Sequence, residues 1–159
     1  MSINNKKKVL ILLAAFNGAK WIEDQIHSII KQRDVEIFIN ISVDTSNDNT
    51  YEICKKISEK NNNISLFKND IDNSSSAINF YNLILNSNLM NFDYIALSDQ
   101  DDIWLESKIS TAINKLNNKK ADAYSSDSIA YWQDTKIKKY IKKSYNQKKY
   151  DYFFEAAGP

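Results

Sequence analysis

The sequence predicts an α/β fold in which a mostly parallel sheet is flanked by helices. Between Val9 and Asn118, short apolar runs typical of buried strands alternate four times with segments whose apolar residues recur at helical spacing. A strand and helix order repeated in this way is typical of parallel sheets with right-handed crossovers. The length of 159 residues, of which 43% are hydrophobic and 26% charged, suits one folded domain.

The first half of this pattern contains two strands, each followed by a helix. Val9–Phe16 is a continuous apolar run, which predicts a strand buried on both faces. Glu36–Val43 predicts the second strand, which ends at Asp44, and Asp48 is the predicted N-cap of the helix after it. The apolar residues at helical spacing are, for the first helix, Trp21, Ile22, Ile26, Ile29 and Ile30, and, for the second, Ile53, Cys54 and Ile57.

The second half repeats the pattern with shorter strands. Ile64–Phe67 predicts the third strand, and Ala77–Asn88 predicts the third helix. Tyr94–Leu97 predicts the fourth strand, which runs into an acidic segment, and Glu106–Asn118 predicts the fourth helix. The sheet therefore has four predicted strands, each followed by a loop at its carboxyl end.

Composition excludes several classes of function. A net charge of +1 gives no general argument for nucleic-acid binding. With two glycines in the chain, neither a P-loop nor a dinucleotide-binding fingerprint occurs. The single cysteine, Cys54, excludes an internal disulfide and a cysteine-rich zinc site, and it favours a reducing, cytoplasmic compartment. We interpret Cys54 as a core residue of the second helix and His27 as an exposed residue of the first.

The N-terminal apolar run is too short to cross a membrane. Val9–Phe16 has eight residues, whereas a membrane-spanning helix needs about 20. Lys6–Lys8 imitate the basic start of a signal peptide, but no A-x-A cleavage site follows the run. We therefore interpret residues 1–7 as a basic leader to a buried strand.

The C-terminal quarter of the chain is basic. Residues 119–149 hold nine lysines and three aspartates, a local charge of +6 that leaves −5 for the rest. Lys136–Lys149 carries seven of these lysines, which predicts either a solvated face or electrostatic attachment to an anionic membrane surface. The chain then ends in an aromatic stretch and small residues at Phe153–Pro159, so we expect the domain to be incomplete at its C-terminus.

Polar clusters follow three of the predicted strands. They are Phe16–Gly18 after the first strand, Asp44–Asp48 after the second and Asp99–Asp102 after the fourth. Open parallel sheets bind ligands at the carboxyl ends of their strands. We therefore expect the three clusters to form one cleft.

The last cluster has the clearest chemistry. Asp99, Asp101 and Asp102 place three carboxylates within four residues, and like charges this close raise a pKa or attract a cation. Oxygen ligands without nearby His or Cys suit Mg²⁺ or Mn²⁺, which bind through one or two carboxylates and substrate phosphates. The alternative is a solvated turn in which Asp102 caps the next helix.

Several motifs in a fixed order resemble those of bacterial family 2 glycosyltransferases, and the last closely matches the Asp-x-Asp segment of their rhamnosyltransferase-like subgroup. They are Ile11–Gly18, Trp21–Gln32, Val43–Thr50, Asn79–Phe80 and Ser98–Lys108. The resemblance extends from about Val9 to Asn118 and returns at Glu155–Pro159. It implies a GT-A (Rossmann-like) fold, with a nucleotide-sugar-binding core at residues 8–118. Residues 119–159 would be a basic extension that starts the acceptor-side half.

The resemblance also implies roles for individual residues. The backbone around Ala15–Asn17 and the Asp44 side chain would hold the nucleoside, and Asp99 would lie near the ribose and the donor sugar. Asp101, with Asp99, would bind the divalent ion at the diphosphate. The implied nucleotide-sugar-binding residues are Ala15, Phe16, Asn17, Asp44, Asp99, Gln100, Asp102 and Trp104. For Trp104, packing in the core or in the wall of the site is the alternative.

The sequence departs from the family pattern at three places. Val43 replaces one of two usual Asp residues, Thr45 replaces a Gly, and Ser74–Ser76 occupies a region that normally contains a Gly. Because other residues resist positive φ, these loops are expected to be reshaped or donor affinity weakened. Inverting members also need a carboxylate base, which is expected beyond Pro159, so we expect no catalytic residue in this chain and no activity from it alone.

The implied function is transfer of a sugar, with rhamnose favoured, from a dTDP- or UDP-linked donor to a glycan or lipid-linked acceptor in bacterial surface-polysaccharide synthesis. The expected location is cytoplasmic, with peripheral contact at the inner face of the plasma membrane. Two alternatives remain: a non-catalytic nucleotide-binding or scaffold fragment, and a Mg²⁺-dependent phosphoryl-transfer enzyme. The second lacks the usual nucleophilic Asp after the first strand, where Ala15–Asn17 stands.

Overall fold

The computed structural model describes residues 6–69 and 75–142 of the chain. Within these ranges the elements, in chain order, are β1 (Lys7–Ala15), α1 (Ile22–Ile30), β2 (Val35–Asp44), α2 (Thr50–Ser58), β3 (Ile64–Asn69), α3 (Ser76–Asn86), a 3-10 helix (Leu89–Asn91), β4 (Tyr94–Ser98), α4 (Lys108–Lys119), β5 (Ser128–Tyr131) and β6 (Lys138–Ile141).

The first four strands form one parallel sheet in the order β3-β2-β1-β4. β1 pairs with β2 along its whole length, from Lys7 opposite Val35 to Ala15 opposite Val43. The predicted α/β fold with a mostly parallel sheet is therefore confirmed. Because the strands run in the same direction, their carboxyl ends meet at one edge of the sheet.

The core is built around β1, whose residues from Val9 to Ala15 are all buried. Successive side chains of a strand point to opposite faces, and on one face Leu10, Leu12 and Ala14 pack in a cluster with Leu83 of α3. The alternate residues of β1 are equally buried on the other face. Both faces of β1 are covered, which explains why its sequence is apolar at every buried position.

The first two helices bury five of the eight residues at the predicted helical spacing, whereas Trp21 and Ile53 are half-buried and Ile30 is 41% exposed. Ile22, Ile26 and Ile29 of α1 are fully buried, and so is Cys54 of α2, while His27 is exposed. Burial raises the pKa of the Cys54 thiol to about 12. Because the thiolate is the reactive form, Cys54 is a core residue and not a nucleophile.

Three helices begin at positions other than those predicted, and one of them, α3, begins at Ser76, one residue earlier than predicted. The N-cap of α2 is Asn49 rather than Asp48, although the Asp48 carboxylate accepts a hydrogen bond from the Thr50 amide at 3.0 Å. α4 begins at Lys108, two residues later than predicted. Asp102 lies six residues before that start, so the interpretation of Asp102 as a helix cap is wrong.

The chain divides into two compact units, residues 1–110 and residues 111–159, and the division falls inside α4. In the second unit β5 and β6 form an antiparallel hairpin. The sequence analysis predicts no strands here, because each is four residues long, too short for a clear apolar alternation, and β6 begins with two lysines. Among the described residues, no helix has the length and apolar character needed to cross a membrane.

Candidate functional site

The loop that follows β1 is tied to the loop that follows β2 through Asn17. This residue has a φ of 47°, a conformation that asparagine tolerates better than most residues. Its amide donates to Ser46 Oγ at 3.1 Å, and its Oδ1 accepts from the Asn47 amide at 2.8 Å. Asn17 therefore joins the two loops with both its backbone and its side chain.

The same two loops are joined again at the start of α2. The Gly18 amide donates to Thr50 Oγ1 at 2.7 Å, and the Ala19 amide donates to Asp48 Oδ2 at 3.0 Å. Partial burial acts to raise the pKa of Asp48, but hydrogen bonds from the Thr50 hydroxyl and the Ala19 and Thr50 amides outweigh it and lower the pKa. Asp48 is therefore held as a carboxylate near the N-terminus of α2, where a negative charge is favoured.

Gln100 ties the acidic loop to the end of β1. Its Oε1 accepts from the Phe16 amide and its Nε2 donates to the Phe16 carbonyl, each at 2.8 Å. The side chain also lies against Gly18, where an added Cβ would be 2.1 Å from Oε1. The glycine is therefore needed for this close approach. The three loops of the expected cleft are thus confirmed as hydrogen-bonded neighbours.

Asp44 is buried at the carboxyl end of β2. Its Oδ1 accepts from Asn69 Nδ2 at 2.6 Å, and Ser46 Oγ donates to its carbonyl at 2.9 Å. Asn69 is the last residue of β3, so the neighbouring strand supplies the partner of this carboxylate. The sequence analysis does not identify Asn69, because no local pattern shows which polar group lies beside Asp44.

The acidic loop, residues 99–102, follows β4. Asp99 and Gln100 are half-buried, while Asp101 and Asp102 are exposed. In the described part of the chain, no three His, Cys, Asp or Glu side chains are grouped so that they could hold a metal ion by themselves. The donor set fits Mg²⁺ or Mn²⁺ bound through one or two carboxylates, with the other positions left to water and phosphate oxygens.

Trp104 lies beyond the acidic loop and is buried, 5% exposed. Its amide donates to Ser28 Oγ at 3.0 Å, and the Lys108 ammonium lies 4.4 Å from the centroid of its ring. Its Nε1 and Asn79 Oδ1 are the two buried side-chain polar atoms without a hydrogen-bond partner within residues 6–69 and 75–142. The burial agrees with the packing interpretation, and contact of Trp104 with the donor sugar stays a prediction.

Polar residues in and just after α1, which the sequence analysis does not assign to the site, contact the last residue of β4 and the segment that follows it. Gln25 Nε2 donates to Ser98 Oγ at 2.6 Å. Gln32, which follows α1, donates from Nε2 to the Leu105 carbonyl at 2.8 Å. With Ser28 they form a buried polar strip beside the apolar residues of α1. Their spacing on that apolar face is the signal that could have found them.

Comparison with known proteins adds a family assignment to this geometry. Residues 10–157 match the family model described as Glycosyl transferase family 2. The chain belongs to this family. Among family 2 relatives, the dTDP-rhamnosyl transferase RfbG of Shigella flexneri is 45% identical over 148 residues, which cover 92% of this chain and 51% of RfbG. The chain thus spans about half the length of the curated relatives it matches.

Two solved structures share the fold. S. aureus TarS 1-349, in complex with UDP-GlcNAc, has a TM-score of 0.60 and 18% identity, covering 70% of this chain and 31% of that one. The mannosyltransferase PcManGT from Pyrobaculum calidifontis, in complex with GDP-Man and Mn²⁺, has a TM-score of 0.58 and 16% identity, covering 70% and 32%. The predicted GT-A fold is therefore confirmed for this family 2 chain.

The structure describes the backbone at two of the places where the sequence departs from the family 2 motifs. The described non-glycine residues with positive φ are Asn17, Asp34, Lys120 and Lys136. Thr45 is not among them, so the turn after β2 forms without the usual glycine. Ser75 is the N-cap of α3 and accepts from the Ile78 amide at 3.3 Å, whereas Ser74 lies outside the described residues. Glu155–Pro159, where the family resemblance returns, also lies outside them.

Proposed function

We propose that the loops after β1, β2 and β4 bind the nucleotide-diphosphate sugar of a glycosyltransferase reaction, and that this chain supplies the donor-binding part of the enzyme. The observation that carries the proposal is the pair of 2.8 Å hydrogen bonds between Gln100 and the Phe16 backbone. They bring the acidic loop beside the loop after β1, at the sheet edge where open parallel sheets bind ligands.

The ends of β1 and β2 are the proposed nucleoside subsite. The Asp44 carboxylate is already held by Asn69, so it can accept a hydrogen bond from a base or ribose with little loss of side-chain freedom. The Phe16 ring is 52% exposed and offers apolar surface to a base. The amides of Phe16 and Asn17 already donate to Gln100 and to the loop after β2. The exposed side chains of Phe16 and Asn17, and not the buried Ala15, are therefore proposed to supply most of this segment's contacts.

Asp99 and Asp101 are the residues proposed to hold Mg²⁺ or Mn²⁺ at the diphosphate. Bound there, the ion would neutralise the negative charge that develops on the diphosphate leaving group. Gln100 stands between the two acids and is fixed to Phe16, which restricts the backbone that carries both carboxylates. Asp102 adds negative charge that attracts a cation. The Mn²⁺ in the mannosyltransferase complex supports an ion of this type.

The proposed reaction is an inverting transfer of rhamnose to a glycan or lipid-linked acceptor in bacterial surface-polysaccharide synthesis. The 45% identity to a dTDP-rhamnosyl transferase supports dTDP-rhamnose as the donor, and the TarS complex supports UDP-sugars as the alternative to test. We place the catalytic base beyond Pro159, because the matched relatives are about twice as long as this chain. The chain alone is then expected to bind donor without turnover.

Calorimetry tests the donor site with dTDP-rhamnose, UDP-glucose and GDP-mannose, each with and without Mn²⁺. We expect one donor to bind, with Mn²⁺ increasing its affinity. Asp99→Asn and Asp101→Asn should each abolish the increase in donor affinity that Mn²⁺ causes. The donor affinity measured with Mn²⁺ should therefore fall by about tenfold or more relative to the wild type. Asp34→Asn is the matched control, since it removes an acid at the amino end of β2 and Asn also tolerates its positive φ.

The outcomes separate the proposed function from its alternatives. Binding of none of the three donors would refute the donor site and favour a scaffold fragment. Binding that is equal with and without Mn²⁺ would remove the metal role of Asp99 and Asp101. Robust transfer of radiolabelled sugar by residues 1–159 alone would refute the proposal that the base lies outside this chain.

We also propose a cytoplasmic location with peripheral contact at the inner face of the plasma membrane, and the β5–β6 hairpin supports the membrane contact. Ile129 lies opposite Tyr140 and Tyr131 opposite Lys138, so the four residues share one face. Ile129, Tyr131 and Tyr140 are exposed, and the ammonium groups of Lys136 and Lys138 lie 6.0 and 5.6 Å from the Tyr131 ring centroid. Exposed aromatic residues interleaved with lysines suit an anionic lipid surface.

Vesicle sedimentation tests the membrane contact. Vesicles that contain phosphatidylglycerol should bind the chain better than vesicles of phosphatidylcholine alone. Lys136→Gln combined with Lys138→Gln should weaken this preference, whereas Lys55→Gln with Lys56→Gln, which removes two exposed lysines of α2, should not. The rest of the predicted basic stretch, Lys143–Lys149, lies outside the described residues. Equal binding to both vesicle types would refute the proposal.

A further inference from the structure

Side chains of α1 and β4 connect the two ends of the acidic loop through a continuous chain of hydrogen bonds. The Trp104 amide donates to Ser28 Oγ at 3.0 Å. Ser28 Oγ in turn lies 2.8 Å from the Gln25 carbonyl and 3.0 Å from Gln25 Oε1, and its proton is shared between these two acceptors. Gln25 Nε2 donates to Ser98 Oγ at 2.6 Å, and Ser98 Oγ donates to the Asp99 carbonyl at 2.9 Å. We call the three side chains Gln25, Ser28 and Ser98 the clasp.

The clasp uses each polar group in one consistent direction. Each hydroxyl accepts one hydrogen bond and has one proton to donate, which Ser28 shares between the backbone carbonyl and the Oε1 of Gln25. The Gln25 amide accepts at oxygen and donates at nitrogen. Gln25, Ser28 and Ser98 are 0%, 8% and 2% exposed. Because a buried polar group left unpaired is unfavourable, loss of the central Gln25 amide would disturb the bonds on both sides of it.

Gln32 contacts the same segment one helical turn further on. Its Nε2 donates to the Leu105 carbonyl at 2.8 Å, and its Oε1 accepts from the Ile109 amide at 2.9 Å. The segment from Ser98 to Ile109 is thus held at both ends by residues 25–32. Between these ends Asp101 and Asp102 are exposed, so their carboxylates are open to solvent while the backbone on either side is fixed.

We propose that Gln25 is a positioning residue of the donor site. Through the clasp it fixes the separation of Asp99 and Trp104, and with it the conformation in which Asp99 and Asp101 face a metal-bound diphosphate. The inference rests on the proposed function. Gln25 acts only through the loop, and the clasp bonds do not involve Asp44 or Phe16. Losing Gln25 should therefore weaken the diphosphate subsite and spare the nucleoside subsite.

Gln25→Met tests the proposal, because methionine has nearly the same length but no amide. Calorimetry of the wild type and the variant compares dTDP-rhamnose with Mn²⁺ against dTMP without metal. We expect the Mn²⁺-dependent affinity for dTDP-rhamnose to fall by about tenfold or more, as for other residues that orient metal ligands. The metal-free affinity for dTMP should be unchanged. A purely structural loss would lower both affinities together.

Asn40→Leu is the matched control. Asn40 Nδ2 donates to Ser87 Oγ at 2.8 Å, so this variant also removes a part-buried hydrogen bond between side chains, but not one that reaches the acidic loop. It should keep the wild-type affinities for both ligands. If Asn40→Leu weakens Mn²⁺-dependent binding as much as Gln25→Met, general destabilisation explains the effect and the proposal is wrong.

Amide hydrogen exchange tests the clasp without any ligand. The Trp104 amide is expected to exchange about tenfold faster or more in Gln25→Met, because Ser28 loses the Gln25 Oε1 contact and keeps only the backbone carbonyl, while Ser98 loses its donor. Amides of α2 should exchange at the wild-type rate. Unchanged exchange at Trp104 would show that Gln25 does not hold the loop and would overturn the inference.

The binding results distinguish the inference from the proposed function. If the wild type binds dTDP-rhamnose with Mn²⁺ and Gln25→Met binds it equally well, the inference alone fails. If the variant loses dTMP and dTDP-rhamnose binding to the same extent, the inference also fails. If the wild type binds none of the three nucleotide sugars, the proposed function fails, and the positioning role fails with it.

Discussion

A single methyl group at Gly18 should separate the acidic loop from the end of β1. A Cβ on Gly18 would lie 2.1 Å from Oε1 and 2.5 Å from Cδ of Gln100, so the glutamine side chain would have to move. Gly18 does not have a positive φ, so an alanine there meets this clash and no backbone strain. Gly18→Ala is therefore expected to break the pairing of Gln100 with Phe16.

The magnitude follows from the bonds that are lost. Gln100 makes two hydrogen bonds to the Phe16 backbone, and at about 0.5–1.5 kcal/mol each their loss costs about 1–3 kcal/mol. Alanine also lowers the conformational entropy of the unfolded chain, which raises the free energy of unfolding by about 0.4–1 kcal/mol. The expected net decrease in the free energy of unfolding is about 0–2.6 kcal/mol, with a midpoint of about 1.3 kcal/mol. Donor affinity should fall as well, since the acidic loop loses its link to β1.

A double-mutant cycle, measured by urea unfolding, tests this reasoning. Once Gln100→Ala has removed the clashing atoms, the remaining heavy atoms lie no closer than 3.2 Å to the added Cβ. In that background Gly18→Ala should stabilise the fold by about 0.4–1 kcal/mol, the opposite sign to its effect in the wild type. An equal cost of Gly18→Ala in both backgrounds would refute the clash with Gln100 as its cause.

Three buried or hydrogen-bonded groups give further expected outcomes. Cys54 has a pKa of about 12, against 9.0 for a free thiol. At pH 8 it should therefore react with iodoacetamide about a thousandfold more slowly in the folded protein than in the protein unfolded in urea. Equal rates would contradict its burial. Asn69→Ala should lower the free energy of unfolding by about 1–3 kcal/mol and weaken donor binding, because the buried Asp44 carboxylate loses its donor; unchanged urea midpoints and affinities would refute this. The lowered pKa of Asp48 means that its carboxylate stabilises the fold above its ordinary pKa of 3.8 and that this is lost as pH falls through the lower folded pKa. The stability difference between wild type and Asp48→Asn should therefore shrink below that pH, and a difference that stays constant to pH 2 would contradict it.

The fold and the place of the site could be predicted because both depend on local patterns. The apolar run of Val9–Phe16 and the helical spacing after it need no knowledge of distant residues. Once the strands are parallel, topology alone brings their carboxyl ends to one edge. Asn17, Asp44 and Gln100 each follow a strand closely, so their meeting at this edge follows from the pattern.

The partners of those residues could not be predicted in the same way. Asn69 and Ser46 are small polar residues of ordinary loop and strand-end type, and their roles depend on which strand lies beside β2. The pattern places the start of α4 too early for a related reason. The Leu105 carbonyl accepts from Gln32 Nε2, 73 residues away, and the Glu106 carbonyl accepts from the Arg33 amide, so the backbone before Lys108 is held in a loop that helix propensity alone does not predict.

For Gln25 the sequence pattern predicts a buried position but not the hydrogen-bond partner. It lies three residues after Ile22 and four before Ile29, both fully buried, so helical geometry places it on the apolar face of α1. A polar side chain at such a position needs a hydrogen-bond partner, because buried polar groups are almost always paired. The sequence thus indicates that a partner exists, but only the parallel pairing of β1 with β4 brings Ser98 within reach. For this reason the structure identifies the clasp and the sequence pattern does not. A variant at Gln25 therefore tests a contact that the local sequence does not determine.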